Sequence, residues 1–361
     1  MTIAKPVSDQ PVDGRVVSED PYCREVNLPS LDTWITPTRQ FFVRSHFHET
    51  PHIDTSTHRL VIEGSVDRKI SFSHADILAM PSREMTVTIE CAGNSRSYMM
   101  PPAEGLKFTH GAISTAVWKG VPLSLLLERA GIRRDAKEVL FEGADGGEEE
   151  EDGKKVHINY ERSLTIAQAV DPEVIVATHM NGELLNADHG APLRLVVPGW
   201  FGMASVKWLT RISLIDYEFK GFFQKRRYLL INEGAADEVT GEPVSRMKVK
   251  ALIAQPKHGE IVRPGGYTIR GFAWSGEADI AKVEVSTDAG KSWHAATLLT
   301  EKAKRAWRRW EYRWVSHPGH FVLKVRATDS NGVVQPEVTA WNFRGYVNSA
   351  IHSVAVKVPL E

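Results

Sequence analysis

Thr86-Val-Thr-Ile-Glu-Cys-Ala-Gly-Asn-Ser-Arg-Ser-Tyr98 decides how the rest of the chain is read. Its opening, Thr86 to Ile89, predicts a strand, because branched side chains pack well on a pleated surface. Ala92 and Gly93 then form a small-residue turn where backbone can approach a bound group closely. Cys91 stands at the junction, and two readings compete for it. A free cysteine in a core is commonly a small, inert hydrophobe, whereas a thiolate is a soft ligand for a transition metal. Arg96, five residues on, favours the thiolate. One cysteine cannot hold a metal without a cofactor that supplies the other ligands, so the residues alone make Cys91 a candidate ligand to something bound.

Around this segment the chain is ordinary and folded. It has 361 residues, 42% hydrophobic and 25% charged, which suits two globular cores and favours neither disorder nor a membrane class. With 44 basic and 45 acidic side chains the net charge is -1, so no global field speaks for nucleic acid or an anionic membrane, and any anion recognition must be local. Only two cysteines occur, Cys23 and Cys91, too few for a disulfide framework and without a CxxC pair for structural zinc. The N-terminal residues lack the apolar stretch of an export signal and a twin-arginine pair, so a cytoplasmic location is expected as the sequence stands, and a periplasmic one if a signal has been removed.

The texture changes along the chain. Residues 1–38, rich in Pro, Asp and Ser, read as an extended arm lying on the first domain, a poor place to look for chemistry. Residues 39–235 mix strand-like runs (Arg59 to Glu63, Met85 to Ile89, Leu193 to Val197) with helix-like runs (Ser73 to Ala79, Pro122 to Ala130, Ser163 to Val170), which predicts an α+β domain. From 240 to 361 short strands recur between Gly, Pro, Asp and Asn turns: Lys248 to Ala254, Tyr267 to Trp274, Ile280 to Ser286, Ala306 to Val315 and His320 to Ala327. That spacing predicts a β-sandwich, with the Asn331-Gly332 step as a strong reversal. The boundary is expected near 232–245. Glu148 to Asp152 reads as a solvated loop, or as a docking patch for a basic electron-transfer partner.

Several blocks, in order, carry a resemblance: Glu90-Cys-Ala-Gly-Asn94 with Arg96, Phe41-Phe-Val-Arg-Ser-His46, Phe141-Glu-Gly-Ala-Asp145, Met180-Asn-Gly182, Asp188-His-Gly-Ala-Pro-Leu-Arg194, Val197-Pro-Gly-Trp200, Ser205-Val-Lys-Trp-Leu209 and Trp341-Asn-Phe-Arg-Gly345. Over roughly residues 38 to 355 the chain resembles the sulfite oxidase family of molybdenum enzymes. The resemblance implies an α+β molybdopterin-binding domain followed by an immunoglobulin-like domain that mediates a homodimer. It implies that Cys91 binds molybdenum (Mo) beside the dithiolene sulfurs of a pterin cofactor. Phe42, Val43, Arg44, Ser45, His46, Asp145, His189, Arg194, Ser205, Val206 and Lys207 match positions that cradle the pterin and its phosphate. Read singly, His189 is equally a turn residue and Arg194 a surface charge.

Arg44, Arg96 and Arg344 match the family's anion pocket, with Arg344 reaching in from the second domain. Guanidinium groups that cannot deprotonate suit a dianion such as sulfite. The expected reaction is oxygen-atom transfer that oxidises sulfite to sulfate. No haem-attachment motif such as CxxCH occurs, so electrons are expected to leave to a separate acceptor, a cytochrome c or oxygen. The alternative is a molybdenum reductase of a sulfoxide or another small oxyanion, or a cofactor carrier without turnover.

One departure bears on that choice. The family places a tyrosine by the metal before a Lys-Gly-Phe stretch, and here Phe219 precedes Lys220-Gly-Phe222. A phenyl ring neither donates a hydrogen bond nor relays a proton. Tyr217 is expected to substitute only if a bulge shifts the strand. His46, His48, His52 and His58 have loose metal-like spacing but no completing carboxylate or cysteine, which argues against a zinc site. Trp307, Trp310 and Trp314 read as core or interface anchors.

Overall fold

The computed structural model describes residues 13–151, 153–231 and 241–360. Two hydrophobic cores emerge. The larger is built mainly from residues before 230 and the smaller from Val249 onward.

In the first domain two five-stranded sheets carry most of the structure. One runs in the order Glu183–Leu184, Ile175–Met180, Ile113–Pro122, Arg83–Glu90, with Arg194–Val196 also paired to Ile175–Met180. The other runs Ile70–Ser73, Arg59–Gly64, Leu209–Ile215, Glu138–Glu151, Lys154–Thr165. Helix is sparse. His74–Leu78 starts at a reciprocal capping box between Ser73 and Asp76, and Leu123–Ala130 buries Leu123, Leu126, Leu127 and Ala130 on one face.

Three expectations are corrected. Residues 13–38 do more than lie on the first domain as an arm: Gly14–Glu19 and Tyr22–Val26 form an antiparallel pair that continues onto Val43–Arg44, with Cys23, Arg24, Glu25 and Val26 buried. Residues 1–12 lie outside the described residues. Glu148 to Glu151 are strand, since each pairs with a residue between Lys154 and His157 in a long hairpin; Asp152 lies outside the described residues. The helix expected from Ser163 begins only at Ile166, after Thr165 takes the N-cap position, because Ser163 to Thr165 remain paired with Glu138 to Leu140.

The second domain is a sandwich of two four-stranded sheets. One orders Lys250–Gln255, Gly265–Trp274, Arg308–Ser316, Thr297–Leu298, and the other His294–Ala295, Ile280–Ser286, Gly319–Asp329, His352–Val358. Trp310 and Trp314 fill its core. Trp307 instead closes the seam between domains: its indole donates to the Trp34 carbonyl at 2.8 Å, the Trp34 indole donates back at 3.0 Å, and its ring stacks on Phe272. Most of the boundary expected near 232–245 falls at 232–240, outside the described residues. No helix among the described residues is long and apolar enough to cross a membrane.

Candidate functional site

Strand Arg83–Glu90 ends in the turn that presents Cys91, and the turn is pinned by Cys91 N–H to the Ala112 carbonyl and Asn94 N–H to the Cys91 carbonyl. Gly93 leaves room there for the Arg96 side chain. A Cβ would lie 2.7 Å from the Arg96 guanidinium, which folds back over the turn. Burial pushes the Cys91 thiol above its ordinary pKa, while Arg44, the Gly93 N–H and Arg96 work in the opposite direction. A metal held by this sulfur would have to displace its proton, because the protein surroundings do not favour the thiolate.

An outer cavity of about 570 Å³ opens onto Cys91. Arg44, Arg96 and Arg344 line it together, and Glu104 is the only acidic side chain among its lining residues. Arg96 donates from Nε to the Arg344 carbonyl at 2.8 Å and from Nη1 to the Leu106 carbonyl at 2.9 Å, with its guanidinium over the Tyr346 ring. Arg344 Nε is buried without a partner. Arg15, Lys107 and Arg227 add positive charge to the same cavity. Val17 and Pro21 line it as well, so the N-terminal hairpin takes part in the site.

A second, narrower pocket continues inward from Cys91. Phe42, Arg44, His46, Asp145, His189, Arg194, Ser205 and Lys207 line it, all candidates from the sequence. Val43 and Val206 do not line it; both are buried side chains, and Val206 belongs to the hydrophobic core. Ser45 contributes its carbonyl, which accepts from Arg44 Nη1 and from the Cys23 thiol. Arg194 donates to the carbonyls of His189 and Ser205, and Lys207 to that of Asp188.

The electrostatics of this inner pocket ask for an anion. Burial, then Arg194 and Lys207, lowers the His189 pKa to about 3, so the ring is neutral. Burial also drives Lys207 below the ordinary lysine range, and drives Asp145 above the carboxylate range against the pull of Lys207. Arg194 Nε and Asp145 Oδ1 are buried without partners. Buried cations that lack a counter-charge are costly, and a phosphate with a hydrogen-bonding heterocycle satisfies both defects. The residues present fit a pterin phosphate.

The tyrosine question resolves at a residue the sequence reading did not consider. Tyr228 lines both pockets, and its hydroxyl lies 2.6 Å from His46 Nε2. Burial raises its pKa, with Arg44 opposing, so it remains a phenol that can donate. Phe219 is elsewhere: its N–H bonds Glu138 Oε2, its ring lies against Gly221, and it lines neither pocket. Tyr217 is exposed. A π-helical turn, Phe223–Arg227, carries the chain back to the site, a geometry no periodicity in the sequence announces. Tyr160 and Asp188 are further lining residues the sequence reading did not select.

The histidine cluster does not gather. His46 faces the inner pocket, His48 pairs with Asp20, and His58 bonds the Leu209 carbonyl. No group of three or more metal-binding side chains is found among the described residues.

Comparison with known proteins agrees with this geometry. Residues 47–223 match the oxidoreductase molybdopterin binding domain, and residues 242–359 the Mo-co oxidoreductase dimerisation domain. The chain is 37% identical to the mitochondrial sulfite oxidase of Macaca fascicularis over 98% of its own length and 68% of that protein's. It is 32% identical to the sulfite oxidase of Arabidopsis thaliana, over 95% of this chain and 94% of that one. Among solved structures, the sulfane dehydrogenase SoxCD of Paracoccus pantotrophus superposes with a TM-score of 0.80 at 28% identity, covering 99% of this chain and 90% of that chain. The chain belongs to the sulfite oxidase family of molybdopterin oxidoreductases.

Proposed function

We propose that this molybdenum-dependent oxidoreductase oxidises sulfite. Sulfite and water become sulfate and two protons, and two electrons pass one at a time to an external acceptor, a cytochrome c or oxygen. The observation that carries the reading is the convergence of Arg44, Arg96 and Arg344 on the cavity that opens onto Cys91.

When bound, the molybdenum cofactor supplies the oxygen-atom transfer and receives the electron pair. Cys91 would hold the metal. Arg194, His189, Lys207 and Ser205 would hold the phosphate, with Phe42, His46 and Asp145 around the pterin. Arg44, Arg96 and Arg344 orient the dianion and offset its charge, and their fixed donors act without reorganisation. Arg96 is held by two carbonyl acceptors and a ring face, so its remaining N–H groups are aimed. Tyr228 presents a phenol beside the metal ligand. His46, which burial and then Arg44 keep neutral, shares a hydrogen bond with it without adding charge. The clue for a reductase, Phe219, loses its force because a hydroxyl is present from another position. The match of residues 242–359 to a dimerisation domain supports a two-fold homodimer as the working assembly.

Steady-state assays separate the alternatives. Sulfite with ferricyanide is expected to turn over, and methionine sulfoxide with a viologen donor is not. The reverse pattern would establish the reductase.

A further inference from the structure

Cys91 is gripped from behind by the second domain. Glu90, the residue before it, is buried and its carboxylate is fully committed. Oε1 accepts from Asn94 Nδ2 at 2.9 Å and from Lys250 Nζ at 3.2 Å, and Oε2 accepts from the Trp274 indole at 2.9 Å. Lys250 and Trp274 are register partners on adjacent strands of the sandwich, so both donors arrive on one sheet.

Lys250 is itself 2% exposed, and its ammonium also donates to Ser95 Oγ at 2.8 Å. One cation therefore bridges the two ends of the turn that holds Cys91. Ser95 sits at φ 69°, a left-handed conformation that a non-glycine residue keeps only when its surroundings over-determine it. Its N–H bonds the Thr109 carbonyl, its hydroxyl meets His110 Nδ1, and its carbonyl accepts from Asn348 of the second domain. The following residue, Arg96, then bonds the Arg344 carbonyl.

A buried ion pair is weak evidence for stability, and its best-attested use is to fix register. Apolar packing at this seam would tolerate sliding; a carboxylate with three donors and an ammonium with two acceptors does not. We infer that Lys250 and Glu90 are positioning residues, an inter-domain latch that sets the Cys91 turn and holds Arg344 in register with Arg96. The inference rests on the reading of the outer cavity as an oxyanion site. Without the ammonium, Glu90 is a buried, uncompensated charge beside the metal ligand, and the turn must shift to relieve it.

The test compares wild type, Lys250→Met and the double variant Glu90→Gln/Lys250→Gln, which offers a hydrogen bond between the same positions without charge. Sulfate affinity is read by calorimetry well below the melting temperature, alongside sulfite kinetics. A purely structural role lowers the melting temperature and leaves the affinity of folded protein unchanged. The latch predicts sulfate binding weakened by about tenfold or more in K250M, in line with the cost of an ångström-scale misplacement. KM should rise more than kcat falls, and the double variant should stay within about threefold of wild type by the same reasoning. K250M with wild-type affinity, or a folded double variant no better than K250M, overturns the latch. If K250M does not fold, Lys250→Gln takes its place beside the double variant, about a tenfold loss of sulfate affinity in the folded single variant supporting the latch and wild-type affinity overturning it. Wild type that binds no sulfate overturns the oxyanion reading and the latch together.

Discussion

Tyr228 Oη lies 2.6 Å from His46 Nε2, which joins the end of a π-helical turn to the residue that closes the Phe41-to-His46 block. Burial keeps both partners uncharged. The pair places a hydroxyl at the cavity without a titrating charge. Tyr228→Phe should keep its metal and lose about 10²-fold in kcat/KM, the low end for a positioned proton donor. Phe219→Tyr should change turnover less than about twofold, because Phe219 lines neither pocket. Steady-state sulfite kinetics on both variants, normalised to metal content, check this.

Arg344 differs from its companions in coming from the second domain with a buried Nε that has no partner. An orphaned guanidinium N–H is costly unless a ligand meets it. Arg344→Gln should raise KM for sulfite by about 10- to 100-fold, equivalent to roughly 1.4 to 3 kcal/mol of lost charge-assisted bonding. The salt dependence of KM should weaken in parallel, since one of the cavity's charges is gone. Sulfite titrations over a range of ionic strength read both.

The seam also carries a pH signature. Burial, then Lys250, lowers the His352 pKa from 6.5 to about 3, and its Nδ1 accepts the Ile253 N–H at 3.0 Å. The folded state holds the ring neutral while the unfolded chain protonates it below pH 6.5. The stabilisation is therefore present above pH 6.5 and is lost as pH falls toward 3. At pH 5 the loss from this one group is about 2 kcal/mol. Denaturant melts of wild type and His352→Asn should show a shallower decline between pH 6.5 and 5 in the variant.

What the sequence disclosed, and what it hid, follow from the range of the forces involved. Thr86 to Ile89 betray their strand because a branched run needs no partner to be recognised, and Cys91 follows at its end. Ile280 to Ser286 reads as a strand with correct bounds for the same reason. The hairpin Gly14–Glu19 with Tyr22–Val26 was hidden, because its pairing depends on burial against Val43–Arg44 from across the chain. Glu148 to Glu151 look solvated by charge, yet a long partner strand carrying Lys154 and Lys155 extends them. The resemblance put Phe219 at the position of the family's tyrosine, whereas the π-turn Phe223–Arg227 delivers Tyr228 to both pockets. The Glu90 to Lys250 bond spans 160 positions, and neither residue's neighbours hint at the other.

If the sulfur of Cys91 completes a molybdenum site that works on a small oxyanion, replacing that sulfur removes turnover. Sulfite-dependent reduction of ferricyanide by purified protein of known metal and pterin content, wild type beside Cys91→Ser, tests it most directly. Wild type should turn over sulfite while the serine variant, at matched metal occupancy, falls to background. Equal turnover by the two proteins, or none by fully loaded wild type, would contradict it.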